Sequence, residues 1–230
     1  MLHPRSFSHL NAVAKIAAIQ MNSAANWAEN RNTATQLIAQ AVAQGAELVA
    51  LPEYFPMISP DKQALFALAE DDGQGPMQEF LAEQAQKHGI WLVGGSLPLK
   101  SYVEDKLTNS CLVYGPNGQR VARYDKVHLF SFKKGEEQYN ESATQIAGNR
   151  PVSFDTPFGR VGLGICYDLR FPELFRKLDA IDLLILPAAF TVPTGQAHWE
   201  LLLRARAVEN LCYLLAPAQV GEHAGGRKTY

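Results

Sequence analysis

Three side chains in this sequence stand where a strand-like run stops, and their types suit nucleophilic chemistry. Glu53 follows ELVALP, Lys126 closes VARYDK, and Cys166 closes VGLGIC immediately ahead of the turn Tyr167-Asp168-Leu169-Arg170 and a helix opened by Phe171-Pro172-Glu173. In parallel-rich α/β folds ligands bind where strands end, so these positions come first. An ordinary thiol has a pKa of about 8.5 and needs a base or a nearby cation to attack at neutral pH. Glu53 lies between Leu51-Pro52 and Tyr54-Phe55-Pro56, and apolar surroundings of that kind raise a carboxyl pKa toward general-base work. Taken singly, each residue also has a plain reading: a buried structural cysteine, a helix-capping glutamate, an edge-strand lysine. His128, two residues beyond Lys126, is either a structural histidine or the base of a Cys–His pair. Cys111 and Cys212 lie inside strand-like apolar runs and read as core.

The elements that must carry these residues alternate. Residues 15–21 (KIAAIQM) read as a buried strand after an irregular leader over 1–14, and 27–44 as a helix stopped by Gly45. Residues 47–51 are a strand closed by Pro52, 75–88 a helix ending at Gly89, and 90–97 (IWLVGGSL) a further strand. Residues 108–114 and 119–124, joined by Gly115-Pro116-Asn117-Gly118, predict a hairpin. Beyond a polar stretch over 131–150 come strand 161–166, the helix opened by Pro172, strand 181–186, a helix over about 197–210, and strand 211–216. The expectation is a single mixed α/β domain with a mostly buried sheet.

Composition narrows the partners. The 230 residues carry 21 Lys+Arg against 23 Asp+Glu, with no basic run, which lacks the electrostatic footprint of a nucleic-acid binder. No window approaches the roughly 18 consecutive apolar residues of a membrane span, and no secretory h-region follows the start. The three cysteines are widely spaced and fit neither a disulfide framework nor a CxxC zinc pattern. A cytoplasmic protein binding neither nucleic acid nor membrane, with reduced thiols and no metal, is expected.

LPEYF around Glu53, YDKVHLF around Lys126 and GLGICYDLRFPEL around Cys166, taken together and in that order, resemble the nitrilase superfamily of carbon–nitrogen hydrolases, a similarity running from about Lys15 to Tyr230. The resemblance implies a four-layer αββα sandwich, a homodimer or higher homo-oligomer, and no cofactor. It makes Cys166 the nucleophile, Glu53 the general base and Lys126 the stabiliser of a tetrahedral intermediate. A second glutamate beyond the lysine maps to Glu141 in Tyr139-Asn140-Glu141-Ser142, with Glu136 and Glu137 as exposed rivals. Family domains usually run longer, so 15–230 is expected to lack the C-terminal end of its domain.

The substrate implied is a small carboxylate-bearing amide. Pro187-Ala188-Ala189-Phe190, the run from Thr194 to Glu200 and LLLRARAVEN resemble the Nit branch, whose members include amidases of deaminated glutathione and ω-amidases; the last residues lean toward the former. Nitrile or N-carbamoyl hydrolysis, or a non-catalytic binding role, are the alternatives. Ala189 and Phe190 either line the pocket or simply pack. The Tyr167 backbone N–H is a candidate oxyanion donor. Arg170 either meets a substrate carboxylate or pairs with Glu173 or Asp168, the ion pair being preferred. Arg204 and Arg206, two apart, cannot share a helix face, and His198-Trp199 reads as core or interface.

Overall fold

Alternation along the strand Leu48–Ala50 divides the molecule into layers. Leu48 and Ala50 join one apolar cluster while Val49 and Leu51 join another, all four fully buried. Successive side chains of a strand point to opposite faces, so a strand buried on both faces lies inside a layered structure. The computed structural model describes residues 13–134 and 137–230. Most of the predicted leader, and Glu136 with the Glu137 side chain, lie outside the described residues.

The first sheet holds β1 (Ile16–Ala18), β2 (Leu48–Ala50), β3 (Trp91–Val93), β4 (Leu97–Lys100), β5 (Leu107–Tyr114) and β6 (Arg120–Asp125), ordered β1-β2-β3-β5-β4 with β6 also on β5. β1, β2 and β3 are parallel, and β5 runs antiparallel to its three neighbours. A hairpin of β7 (Ser131–Lys134) and β8 (Glu137–Asn140) follows. The second sheet takes β9 (Ser153–Thr156), β10 (Gly159–Leu163), β11 (Leu183–Ile185) and β12 (Tyr213–Leu215) in the order β12-β11-β10-β9, parallel except for β9. A last hairpin pairs β13 (Gly221–Glu222) with β14 (Lys228–Thr229).

The helices are α1 (Trp27–Ala43), α2 (Lys62–Leu68), α3 (Pro76–His88), α4 (Pro172–Arg176) and α5 (Val192–Asn210). Ala34, Ile38 and Ala41 of α1, with Phe80, Leu81 and Ala85 of α3, cover Val49, Leu92 and Leu112 on the outer face of the first sheet. Its inner face, with Leu48, Val93, Cys111 and Tyr124, packs in one cluster with Val161, Leu163, Leu183 and Ile185 of the second sheet, and Trp91 stacks on Phe154 with ring centroids 6.0 Å apart. A Cβ on Gly162 or Gly164 would meet Leu178, Ile181 or Phe175, which puts α4 on the far side of the second sheet. Trp199, Leu202 and Leu203 of α5 pack into that cluster too. The four-layer αββα sandwich is thereby realised.

Several sequence expectations need adjustment. The strand expected over 90–97 is two, β3 and β4, and both pair with one edge of β5. The register slips by one residue between Val93↔Val113 and Leu97↔Ser110, which is a β-bulge. Gly95 occupies it at φ +57°, where an added Cβ would fall 2.1 Å from the Pro52 carbonyl oxygen. The helix expected from 197 begins at Val192, with Pro193 in its first turn where a missing N–H does no harm. The helix opened by Pro172 is only five residues long. The polar stretch contains the β7–β8 hairpin, and α2, β13 and β14 lack a periodicity that would announce them.

Candidate active site

Each candidate side chain follows the C-terminal end of a strand of this two-sheet core. Glu53 comes three residues after β2, Lys126 directly after β6, and Cys166 three residues after β10. The two sheets face each other, so their loops converge at one end. The structure brings Glu53, Lys126, Glu141 and Cys166 together there.

Lys126 is the centre of the cluster. Its Nζ donates to Glu53 Oε1 at 2.8 Å and reaches Glu141 Oε1 at 3.0 Å and Oε2 at 2.9 Å. Burial works against the ammonium charge, but the carboxylates of Glu141 and Glu53 outweigh it and hold Lys126 well above the usual lysine value. Glu53 is 1% exposed, and Asn109 Nδ2 donates to its Oε1 at 3.0 Å, so its surroundings are more polar than the flanking sequence suggests. Its other oxygen, Oε2, is buried without a partner. Gln219 Nε2 holds the Glu53 backbone carbonyl at 3.0 Å. Glu141 is fixed by the Tyr54 hydroxyl at 2.8 Å and by the Phe130 N–H, which donates to Oε2 at 2.7 Å.

Cys166 opens a 3₁₀ turn at φ +48°, a left-handed conformation that costs energy for a residue with a Cβ, and its N–H donates to the Pro187 carbonyl at 2.8 Å. Burial and then the Glu53 charge push its thiol well above the ordinary range; Lys126 and the Ala189 N–H act in the opposite direction. The resting group is therefore a neutral thiol. The turn is held by Asp168, which accepts from the Ile165 N–H at 2.9 Å, the Tyr124 hydroxyl at 2.6 Å and the His128 N–H at 2.9 Å.

His128 belongs to that brace. Its Nδ1 lies 2.8 Å from Asp168 Oδ1 and its ring stacks on Phe171 with centroids 3.7 Å apart, which commits it to the turn rather than to the thiol. Arg170 pairs with neither Glu173 nor Asp168. Its two terminal nitrogens sit 3.3 Å from His198 Nδ1 and its guanidinium lies over Phe190, while Asp168 is already occupied by the Ile165 N–H, the Tyr124 hydroxyl and His128. Arg206 is buried and donates to the Leu169 carbonyl, while Arg204 is exposed. Cys111 is core, its thiol pushed up by burial; Cys212 is only half-buried.

A narrow recess beside Cys166 is lined by Glu53, Tyr167, Arg170, Ala189 and Phe190. It shares Phe130, Glu141 and Arg227 with a wider cavity of about 520 Å³, whose wall includes Tyr54, Tyr139 and Gln145. Among the described residues no group of three or more His, Cys, Asp or Glu is placed to hold a metal ion, and no helix is long and apolar enough to cross a membrane. The sequence reading missed Tyr54, Asn109, Gln145, Gln219 and Arg227. Asn109 alone carried a signal, as an amide in the polar run Thr108-Asn109-Ser110 at the start of a strand that is buried throughout.

Comparisons with known proteins identify the family. The carbon-nitrogen hydrolase family model matches residues 15–230. The chain is 44% identical over 223 residues to the deaminated glutathione amidase of Synechocystis sp. (strain PCC 6803 / GT-S), covering 93% of this chain and 80% of that protein. It is 41% identical over 203 residues to the omega-amidase NIT2 of Homo sapiens, covering 87% and 72% respectively. The crystal structure of Saccharomyces cerevisiae Nit3, a member of branch 10 of the nitrilase superfamily, superposes with a TM-score of 0.80 at 31% identity, covering 94% of this chain and 79% of that one. With a layered fold, a buried carboxylate–ammonium–thiol cluster and relatives of this identity, the chain belongs to the carbon-nitrogen hydrolase family of the nitrilase superfamily.

Proposed function

We propose that this chain hydrolyses the terminal amide of a small carboxylate-bearing substrate to an acid and ammonia, in the manner of a deaminated glutathione amidase. The observation that carries the reading is the free oxygen of Glu53: Oε1 is held by Lys126 and Asn109, while Oε2 is buried and open. An unpartnered carboxylate oxygen beside a neutral thiol is a proton acceptor in waiting.

The steps follow from those positions. Glu53 takes the Cys166 proton as sulfur attacks the amide carbon, and the resulting oxyanion is met by the Lys126 ammonium and the Tyr167 backbone N–H. Glu53 then protonates the amide nitrogen, the C–N bond breaks, and ammonia leaves a thioester on Cys166. A water molecule gives a proton to Glu53 as its oxygen attacks the thioester carbon. The C–S bond breaks, and the thiolate recovers the proton from Glu53. Glu141 positions Lys126 and balances its charge.

The cavity volume of about 520 Å³ falls within the roughly 300–1,000 Å³ of small-molecule sites and admits an amide larger than a four-carbon acid. The related amidases named above support an amide over a nitrile or an N-carbamoyl compound. Assembly as a homodimer is part of the same reading and is supported by exposed Leu201 and Val208 on α5 and by Leu211 and Tyr213 next to it; sedimentation velocity tests it. A cytoplasmic location suits a protein that depends on a reduced thiol. Ammonia release from deaminated glutathione, a short dicarboxylic acid monoamide, an aryl nitrile and an N-carbamoyl amino acid decides the reaction: turnover confined to the last two overturns the reading.

A further inference from the structure

Arg227 stands out because its charge is unanswered. Its guanidinium sits 5.7 Å from the Tyr54 ring centroid and 5.5 Å from that of Tyr139, and its one hydrogen bond runs from NH2 to the Ala189 carbonyl at 3.2 Å. Nε is buried without a partner. Among the described residues no carboxylate pairs with it: Glu141 gives both oxygens to Lys126, Tyr54 and Phe130 N–H, and Glu53 is held by Lys126. A buried donor of a charged fork left unused is costly unless something arrives to fill it.

The position of this fork says what arrives. Arg227 lines both the recess that contains Cys166 and the wider cavity, so it faces the part of a bound molecule that does not react. Glu53, Glu141, Lys126 and Arg227 sum to zero formal charge, and the Lys126 charge is answered by the two glutamates, with the reacting end of the substrate beside it. A planar fork in a partly dry pocket favours a carboxylate, which it meets through two parallel hydrogen bonds. Arg170 is a weaker choice, since both of its terminal nitrogens already share His198 Nδ1. Arg227 is also rigidly presented. The His223 N–H donates to its carbonyl at 2.8 Å, and His223 is tied through Nδ1 to the Ser23 carbonyl and through Nε2 to Thr229.

We propose that Arg227, rather than Arg170, is the specificity residue that recognises a carboxylate at the non-reacting end of the substrate. The inference rests on the amidase reading. Its test compares the four- and five-carbon dicarboxylic acid monoamides with their methyl esters, which carry the same amide and no anion. Arg227→Gln raises KM for the acids roughly 10- to 100-fold, the size of a lost charged hydrogen-bonded pair, with a much smaller effect on the esters and on kcat. Arg227→Lys recovers part of the loss, and Arg170→Gln keeps the acid-over-ester preference. Equal losses on acid and ester in Arg227→Gln, or loss of the preference in Arg170→Gln, overturn the proposal.

A second measurement separates this proposal from its parent. Succinate should slow alkylation of Cys166 by iodoacetamide in the wild type and not in Arg227→Gln, whether or not any amide turns over. If wild type releases no ammonia from any amide, the amidase reading fails. Equal protection in both proteins removes the role of Arg227.

Discussion

Lys126 Nζ and Glu53 Oε1 lie 2.8 Å apart with side-chain exposures of 0% and 1%. Two charges so fully withdrawn from water are tolerable only because Glu141 and Asn109 complete the set of partners. Removing the cation should therefore cost more than activity. Lys126→Met leaves two buried carboxylates with no counter-charge, and a loss of about 3–5 kcal/mol is expected on the scale of broken buried pairs. The Lys126 pKa is raised above its unfolded value of 10.5. Its contribution is then fully present below that pH and disappears only as pH rises through the higher folded value. Urea unfolding at pH 7 and pH 9 should give the same destabilisation, and a loss that halves at pH 9 would contradict the buried-pair account.

The Cys166 thiol is pushed up by burial and by Glu53, which makes two outcomes separable. Glu53→Gln removes the proton acceptor and should lower kcat by at least about 10³-fold, the combined scale of base and nucleophile activation. It also removes a negative charge beside sulfur while Lys126 remains, so the thiol pKa falls. Alkylation by iodoacetamide at pH 8 should then be faster in the inactive variant than in wild type. An unchanged labelling rate would show that Glu53 does not act on the thiol.

Gly95 tests how the base is positioned. It sits in the bulge between β3 and β4 at φ +57°, and its missing Cβ leaves room for the Pro52 carbonyl one residue before Glu53. Gly95→Ala adds backbone strain of roughly 1–2 kcal/mol and a 2.1 Å clash that only a shift of Pro52 can relieve. The expected signature is a kcat loss larger than the fall in Tm suggests, with KM little changed. Gly89→Ala, also at positive φ but with nothing within 4 Å of its Cβ, should lower Tm with no kcat loss beyond it.

Legibility followed the physics of each signal. Cys166, Lys126 and Glu53 are legible because each stands at the end of a strand-like run, a pattern local in sequence. The bulge at Gly95 was hidden because its cause is a carbonyl more than forty residues away. Arg227 and His223 were hidden for the same reason: a polar tail of Gly, His and Arg has no periodicity, and only the fold places it against Ser23 and Ala189. Arg170 was expected to pair with Glu173 or Asp168, and adjacency in sequence misled there, since Arg170 meets His198 and Asp168 takes its hydrogen bonds from Ile165, Tyr124 and His128.

His223 makes the tail sensitive to acid. Desolvation, together with nearby Arg227, lowers its pKa below 6.5, although the Ser23 carbonyl favours the charged form. A histidine with a depressed folded pKa contributes stability above the unfolded value, and that contribution is lost as pH falls through the folded one. The tail should therefore loosen as the pH falls below the ordinary histidine value of 6.5 and through the lower folded one. Thermal unfolding from pH 7.5 to 5 should show a steeper fall for wild type than for His223→Gln, whose side chain does not titrate. Parallel curves would remove His223 as the cause.

The last comparison decides which base serves the thiol. A Cys–His pair predicts that His128→Ala is inactive and Lys126→Ala tolerated. The structure argues the reverse, since His128 is spent on Asp168 and Phe171 while Lys126 touches both carboxylates of the cluster. His128→Ala removes a stack and one hydrogen bond from a brace that keeps three donors, the Tyr124 hydroxyl, the Ile165 N–H and the backbone N–H of residue 128. A kcat loss within about tenfold is expected, against a loss of about 10²–10³ for Lys126→Ala, the range for removing one oxyanion donor. The pH profile distinguishes the two even if both variants are slow. A histidine base would give wild type an acid limb that disappears in His128→Ala, whereas the acid limb of wild type is retained in His128→Ala if Glu53 rather than His128 accepts the proton.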